Sequence, residues 1–279
     1  MSAPLLSVRD LTVTFDTRRG PFEAVRGVSF DVGRERVGIV GESGSGKSMT
    51  GRAILGLVRP PGRVGASRLT FDGTELPGLP ERQMRTIRGR RISMVMQDPR
   101  YSLNPVMTVG RQIAEALRVH GRPSRAEIRK RSLDMLAEVQ IRDPERVLTA
   151  YPHELSGGMG QRVMIAMMLV TQPELLIADE PTSALDVTVQ LEVLRILDDL
   201  VRRRGMGLIF ISHDLRLVST FCDRVLVMYR GRIVEEIKAS LLHQAQHPYT
   251  QGLLNCLPRI GGGHEALPTL QRQDAWNDA

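Results

Sequence analysis

Alternating apolar and polar residues predict that the start of the chain is rich in β-structure. Residues 6–15 alternate with one slip near Asp10, which predicts a strand with a bulge. Residues 24–32 carry a second strand pattern, so the two segments predict an antiparallel pair. Residues 36–40 form a short, continuous apolar run, which predicts a buried strand.

The middle of the chain changes from strand patterns to helical ones. Residues 101–150 place apolar side chains at helical spacing, for example at Val109, Ile113 and Leu117. This spacing predicts an inserted all-helical subdomain. Short apolar runs that predict core strands lie on either side of it, at residues 92–96, 175–178 and 208–211. A hairpin is predicted about residues 230–231, and the end of the chain predicts an extension of low regularity.

Composition narrows the classes of protein that fit. No apolar run is long enough to span a bilayer, the first ten residues lack a secretory signal pattern, and the two cysteines are far apart. We therefore expect a cytoplasmic protein. A net charge of +7 suggests nucleic acid or anionic lipid as a partner, but the basic residues are dispersed and aromatics make up only 4%. A solvated basic surface is the simpler interpretation.

The buried strand at residues 36–40 runs directly into a phosphate-binding motif. The motif follows G-x-x-x-x-G-K-[ST] at every fixed position, with Gly41, Glu42, Ser43, Gly44, Ser45, Gly46, Lys47 and Ser48. A predicted helix follows, so the chain has the strand, loop and helix that the motif requires. Glycines let several backbone N–H groups face one anion. Lys47 is expected to contact the β- and γ-phosphates, and the Ser48 hydroxyl to bind Mg²⁺.

Polar residues follow other predicted strands and suggest the rest of a nucleotide site. Asp179 ends an apolar strand and is expected to hold Mg²⁺, while Glu180 can act as general base on the attacking water. Gln97 and His213 also follow strands. Because ligands of open α/β sheets bind at the carboxyl ends of strands, we expect all of these residues around one phosphate. Ser156, with the two glycines after it, predicts a capped helix with free N–H groups.

These motifs together resemble the ATP-binding subunits of ABC transporters. The resemblance covers about residues 5–240 and assigns the sequence Leu155-Ser156-Gly157-Gly158-Met159 to the family signature. It further implies roles for Gln97 as the Q-loop residue and Mg²⁺ ligand, for Ser183–Asp186 as the D-loop, for His213 as the switch histidine and for Phe15 as the aromatic that stacks on adenine. Met159, where most members have Gln, is a variant typical of one branch of the family. Gly160 and Arg34 depart from the usual pattern, but neither occupies a phosphate-binding position.

The family resemblance implies a fold and a division into domains. The implied fold is α/β, a P-loop NTPase (RecA-like) core with an N-terminal antiparallel β subdomain and an inserted all-helical subdomain. Residues 1–240 are expected to form the ATPase domain, with the core at 1–98 and 159–240 and the helical subdomain at about 99–158. Residues 241–279 are expected to form a C-terminal extension of the peptide-importer type.

Further short motifs resemble the oligopeptide, dipeptide and nickel importer branch. They include Gln97-Asp98-Pro99, Tyr151-Pro152-His153-Glu154-Leu155, Asp186-Val187-Thr188-Val189-Gln190 and His247-Pro248-Tyr249-Thr250. The resemblance implies ATP and Mg²⁺ as cofactors, a related but non-identical ATPase as head-to-tail partner, two membrane permease subunits, and an extracytoplasmic solute-binding protein that acts indirectly. It also implies a peripheral location on the cytoplasmic face of the inner membrane. Cys256 stands alone, so no iron–sulfur segment is expected.

Other functions are compatible with parts of the sequence. Nickel or metal-chelate import by the same branch is the nearest alternative to peptide import. A soluble ABC-type ATPase acting on nucleic acid or ribosomes is more distant, because such proteins usually carry two cassettes or a long coiled coil; we expect no nucleic-acid partner. A P-loop kinase or GTPase has no use for the Ser156 motif.

Overall fold

The computed structural model describes residues 3–98, 102–183, 185–257 and 276, and divides into two units. The first unit comprises Met1–Gly78 with Ile209–Ala279, and the second comprises Leu79–Leu208. The strands are β1 (Leu6–Thr17), β2 (Gly20–Val32), β3 (Arg36–Val40), β4 (Gly62–Gly65), β5 (Arg68–Phe71), β6 (Thr74–Glu75), β7 (Ile92–Val95), β8 (Leu175–Asp179), β9 (Gly207–Ser212), β10 (Arg224–Tyr229) and β11 (Arg232–Lys238).

The described residues also form α-helices. They are α1 (Lys47–Ile54), α2 (Glu81–Ile87), α3 (Val109–Val119), α4 (Arg125–Glu138), α5 (Pro144–Thr149), α6 (Gly157–Leu169), α7 (Val187–Arg204), α8 (Leu215–Phe221) and α9 (Pro248–Asn255). Short 3₁₀ turns lie at Pro152–Glu154 and Ala239–Gln244. No helix among the described residues has the length and apolar character needed to cross a membrane.

The first unit contains an antiparallel sheet that confirms the alternation at the start of the chain. Its order is β2-β1-β5-β6, and β4 pairs with the other half of β1. The predicted slip is a register shift between Val8 and Leu11, where Asp10 has a φ of 50°. Alternate residues of β1 such as Leu6, Val8, Leu11 and Val13 are buried, because alternate side chains share one face.

A second set of strands in the first unit positions the phosphate loop. The order is β11-β10-β3-β9, with β10 parallel to β3 and antiparallel to β11. Strand β3 is buried at four of its five residues and ends at Val40. Strands that are buried on both faces are continuous apolar runs, as the sequence predicted.

The second unit combines the parallel strands β7 and β8 with helices. The first residues of α3, α4 and α6 follow typical capping residues, and most apolar side chains of α6 are buried, with Met159, Met167 and Met168 half-buried. In α7 the apolar residues Leu194 and Leu197 are buried, whereas Val187 and Leu191 are exposed. The proposed limits of a helical subdomain at about residues 99–158 stay a prediction.

The expectation of an irregular C-terminal extension is wrong for its described part. Residues 239–244 form a 3₁₀ turn and Pro248–Asn255 forms α9. Pro248 occupies the first helical position, where its missing N–H costs nothing, and the His247 side chain caps the helix by accepting from Tyr249 N. The prolines at 258 and 268 and the glycines at 261–263 lie outside the described residues.

Candidate functional site

The phosphate loop leaves β3 at Gly41 and enters α1 at Lys47. A Cβ on Gly41 would lie 2.1 Å from the carbonyl oxygen of Met228, so only glycine fits there. Gly44 and Gly46 have φ of +80° and +102°, which L side chains rarely adopt. Gly46 is the N-cap of α1 and supplies no side-chain oxygen, and no acidic residue lies in the first turn. The helix N-terminus is therefore suited to an anion.

Lys47 is 5% exposed and its ammonium lies against the loop's own backbone. Its Nζ donates to the carbonyl oxygens of Gly41 at 2.7 Å and Glu42 at 2.8 Å. Hydrogen bonds of this kind offset the cost of burying a charged group. The same Glu42 carbonyl accepts from Ser45 N at 3.2 Å, which closes the loop into a turn. The loop thus holds its cation in place through main-chain oxygens.

Strand β8 presents two carboxylates at its end, as predicted. Asp179 is 3% exposed and is the last residue of the strand. Glu180 follows with a φ of 46°, a conformation that costs a non-glycine residue energy and clusters at functional sites. The Gln97 side chain donates from Nε2 to Glu180 Oε2 at 3.1 Å. The second unit therefore brings together two predicted site residues that are 83 positions apart.

The Ser156 loop forms the start of α6 in the same unit. Ser156 Oγ accepts from Met159 N at 3.4 Å, which confirms the predicted cap. The open cleft beside it has a volume of about 580 Å³. Its lining includes Ser156, Gly157 and Gly158, the basic side chains Arg142, Arg146 and Arg162, and the carboxylates of Asp143 and Asp186. Three arginines against two aspartates, beside a helix N-terminus, favour an anionic ligand.

The remaining predicted residues lie in the first unit. His213 is exposed and directly follows β9, and the next residue, Asp214, caps α8. Phe15 lies in β1 opposite Phe22, and its ring edge is so close to Gly62 that a Cβ there would lie 2.7 Å from Cε1. Phe22 is 53% exposed. The arrangement of the residues of both units about one phosphate stays a prediction.

Sequence reasoning missed two contacts of these loops. The backbone N–H of Glu42 in the phosphate loop donates to Tyr249 Oη at 3.1 Å. The buried Gln161 amide, five residues after Ser156, donates to the carbonyl oxygen of Pro181, directly after Glu180. Neither pair has a short sequence spacing, so no local pattern could have found it.

Comparisons with known families agree with these features. A family model described as ABC transporter matches residues 25–183, and a model described as oligopeptide/dipeptide transporter, C-terminal region, matches residues 234–277. A probable peptide ABC transporter ATP-binding protein of Sinorhizobium fredii is 52% identical over 95% of this chain and 81% of its own. A dipeptide transport ATP-binding protein of Haemophilus influenzae is 48% identical over 96% and 82%.

Further matches come from another curated relative and from solved structures. An oligopeptide transport ATP-binding protein of Salmonella typhimurium is 50% identical over 92% of this chain and 77% of its own. A dimeric ATP-binding cassette, solved in a post-hydrolysis state with ADP and Pi, matches with a TM-score of 0.75 at 28% identity, covering 84% of this chain and 98% of its own. These matches confirm the predicted fold class.

Proposed function

This chain belongs to the ABC transporter family, and we propose that it is the ATP-binding subunit that powers the import of peptides across the inner membrane. Members of this family couple ATP hydrolysis to transport, and this chain has the same ATPase domain. The observation that carries the peptide cargo is the match of residues 234–277 to the oligopeptide/dipeptide C-terminal region, together with relatives that are named for peptide, dipeptide and oligopeptide transport. The same relatives disfavour nickel as the first choice of cargo.

In the proposed site each residue has a distinct task. The N–H groups of Gly41–Ser48 and the Lys47 ammonium bind the β- and γ-phosphates, and Phe15 stacks on the adenine. Glu180 accepts a proton from the attacking water, and Gln97 orients the Glu180 carboxylate through the bond between Nε2 and Oε2. His213 contacts the γ-phosphate. Together these groups bind ATP, orient water and receive its proton.

The residues proposed to hold Mg²⁺ have the right chemistry. They are the Ser48 hydroxyl, the Gln97 amide oxygen and the Asp179 carboxylate, which are all hard oxygen donors. Mg²⁺ is commonly bound through one or two carboxylates together with substrate phosphates. When bound, Mg²⁺ would neutralise charge on the β- and γ-phosphate oxygens.

The proposed partners complete the transporter. A related but non-identical ATPase would pair head to tail with this chain, so that the Ser156 loop of each faces the ATP of the other. Two permease subunits would hold both ATPases at the cytoplasmic face of the membrane, and a solute-binding protein would deliver the peptide outside. The cleft beside Ser156, with a helix N-terminus and one more arginine than aspartate in its lining, supports binding of an anionic group there.

The helices of the second unit supply a surface for the permease. Val106, three residues before α3, and Val119, the last residue of α3, are apolar and 78% and 64% exposed, and we infer that the permease covers both. We expect Val106→Glu with Val119→Glu to uncouple ATP hydrolysis from transport without weakening ATP binding. Val64→Glu, on the exposed face of β4, is the control for an added charge. Unchanged transport in the double variant would contradict the docking role.

The proposed function is tested by reconstituting this chain with the permease and ATPase proteins that are encoded next to its own gene. Proteoliposomes that contain this chain should take up a labelled dipeptide or oligopeptide when ATP is supplied, and Glu180→Gln should lower turnover by at least ~10²-fold while ATP binding is retained. Uptake of Ni²⁺ but not of peptides would contradict the proposal that peptides are the cargo. Near-normal hydrolysis by Glu180→Gln would reject the assignment of the general base.

A further inference from the structure

The C-terminal region contacts the phosphate loop, and we propose that Tyr249 is a positioning residue for ATP binding. Nothing in the family match of residues 234–277 assigns this region a task at the nucleotide site. The hydroxyl of Tyr249 accepts the hydrogen bond of Glu42 N at 3.1 Å, across 207 positions of sequence. Both residues belong to the first unit.

Glu42 links Tyr249 to the functional cation. Its N–H is bound by Tyr249 Oη, and its carbonyl oxygen accepts from Lys47 Nζ at 2.8 Å and from Ser45 N at 3.2 Å. The peptide groups on the two sides of Glu42 are therefore held from opposite directions. A rotation of this residue would move one of the two carbonyl oxygens that hold Lys47. Tyr249 thus fixes the lysine without touching the nucleotide.

The residues around Tyr249 keep its hydroxyl in place. Glu235 Oε1 accepts from Gln246 N at 2.7 Å, which holds the chain just before the helix. His247 Nδ1 then accepts from Tyr249 N, and Pro248 starts α9 with its φ already suited to a helix. The contacts of His247 and Pro248 at the start of α9 therefore fix the position of Tyr249.

An aromatic cluster fixes the ring of Tyr249, which is fully buried. Its centroid lies 4.5 Å from that of Tyr229 and 5.8 Å from that of Trp276. Tyr229 is the last residue of β10, and Gly231 N in the following turn donates to Ser45 O at 2.9 Å. The loop is thus braced at Ser45 by this turn and at Glu42 by α9.

Tyr229 provides a matched control within the same cluster. Tyr229 is 3% exposed and, like Tyr249, packs against aromatic neighbours. Unlike that of Tyr249, its hydroxyl has no hydrogen-bond partner among the described residues. Removing the hydroxyl of either tyrosine changes the packing very little. Only the change at Tyr249 removes an acceptor for the phosphate loop.

The experiment measures ATP affinity and steady-state hydrolysis for Tyr249→Phe and Tyr229→Phe in the full chain. Loss of one neutral hydrogen bond predicts about 2- to 10-fold weaker ATP binding for Tyr249→Phe, expressed as a higher KM, with kcat within about twofold at saturating ATP. Tyr229→Phe should bind ATP within twofold of the wild type. A purely structural role would lower the melting temperature and leave the KM unchanged.

Two results would overturn the proposal. One is a folded Tyr249→Phe with wild-type affinity, and the other is an equal loss of affinity in Tyr229→Phe. Amide exchange of the wild type gives an answer even if Tyr249→Phe does not fold. The Glu42 N–H should exchange slowly in the absence of nucleotide, and exchange at the rate of an unstructured loop would contradict the bond. The inference rests on nucleotide binding by the loop, which the wild-type affinity checks separately from peptide import.

Discussion

The phosphate loop before α1 and the Ser156 loop before α6 both place glycines at a helix N-terminus, but they are built differently. The first loop encloses a buried cation, Lys47, that its own carbonyl oxygens hold. The second has no cation of its own, and Ser156 and Gly157 are exposed. The first loop has no side-chain cap, whereas a serine hydroxyl caps the second.

These differences indicate two kinds of anion site. The phosphate loop is supported within one chain by strands β3 and β10, by its own lysine and by α9. The Ser156 loop opens on a cleft lined by three arginines and two aspartates, and in the proposed head-to-tail pair its ligand would be the ATP of the partner. We expect the first loop to set the affinity for ATP and the second to act only in the assembled transporter.

Lys47→Ala gives the largest expected effect, because it removes the only cation that the phosphate loop's own sequence supplies. Hydrolysis should fall by about 10²- to 10³-fold, as for other groups that stabilise charge in a transition state. ATP binding should weaken as well. Arg52→Ala removes a cation from the last turn of the same helix and is the matched control. Near-normal hydrolysis by Lys47→Ala would contradict the view that the phosphate loop differs from the Ser156 loop by having a functional cation.

Ser156→Arg tests whether the second loop acts across an interface. The isolated chain should bind ATP normally, whereas hydrolysis by the assembled pair should fall by about tenfold or more, because in the proposed pair a bulky cation would replace a donor to the partner's phosphate. ATPase rate against protein concentration, for this chain alone and with its partner, is the measurement.

Ser124→Arg is the control for Ser156→Arg, since Ser124 caps α4 through an equivalent bond to Glu127 N at 3.2 Å. An equal loss of hydrolysis in both variants would mean that cap stability, rather than the cleft, explains the result. A monomer whose specific activity is maximal at every concentration would also reject the head-to-tail pair.

The two loops differ in how much of each the sequence predicts. The phosphate loop follows from local rules, because strand, glycines, lysine and helix are contiguous from Arg36 to Ile54. Asp179 and Glu180 at the end of β8 follow from the same kind of local pattern. The bond between Gln97 and Glu180 could be expected only from the rule that polar residues gather at strand ends.

Long-range pairing explains what the sequence did not predict. Strand β4 begins at Gly62, directly after the break at Pro60-Pro61, and forms because residues 12–15 of β1 pair with residues 62–65. Helix α9 was missed because Pro248 suggests a break, although at the first helical position it starts a helix. The contact from Tyr249 to Glu42 joins distant segments, so tertiary packing alone determines it.

Gly158→Ala tests whether the Ser156 loop has room for a side chain next to its capping serine. A Cβ on Gly158 would lie 2.7 Å from Val189 Cγ1 of α7, whereas a Cβ on Gly157 would meet nothing within 4 Å. Overpacking of this kind costs about 1–3 kcal/mol of the free energy of unfolding. Denaturant unfolding should therefore show a loss for Gly158→Ala and little change for Gly157→Ala. Equal stabilities would show that Val189 moves aside.

Ser156→Ala gives the smallest expected effect and addresses the cap itself. In α1 a capping hydroxyl would compete with phosphate for the first N–H groups, and Gly46 supplies none. In α6 the hydroxyl is exposed and its bond to Met159 N is long at 3.4 Å, so its loss should cost only about 0.5 kcal/mol, at the low end for N-caps. Ser124 has a shorter capping bond, so Ser124→Ala should cost as much or more.

Denaturant unfolding measures the free energy of unfolding of both variants, and a loss above about 2 kcal/mol for Ser156→Ala would mean that this cap holds α6 in place. The second loop would then be as pre-formed as the first, and the contrast between them would have to rest on Lys47 alone.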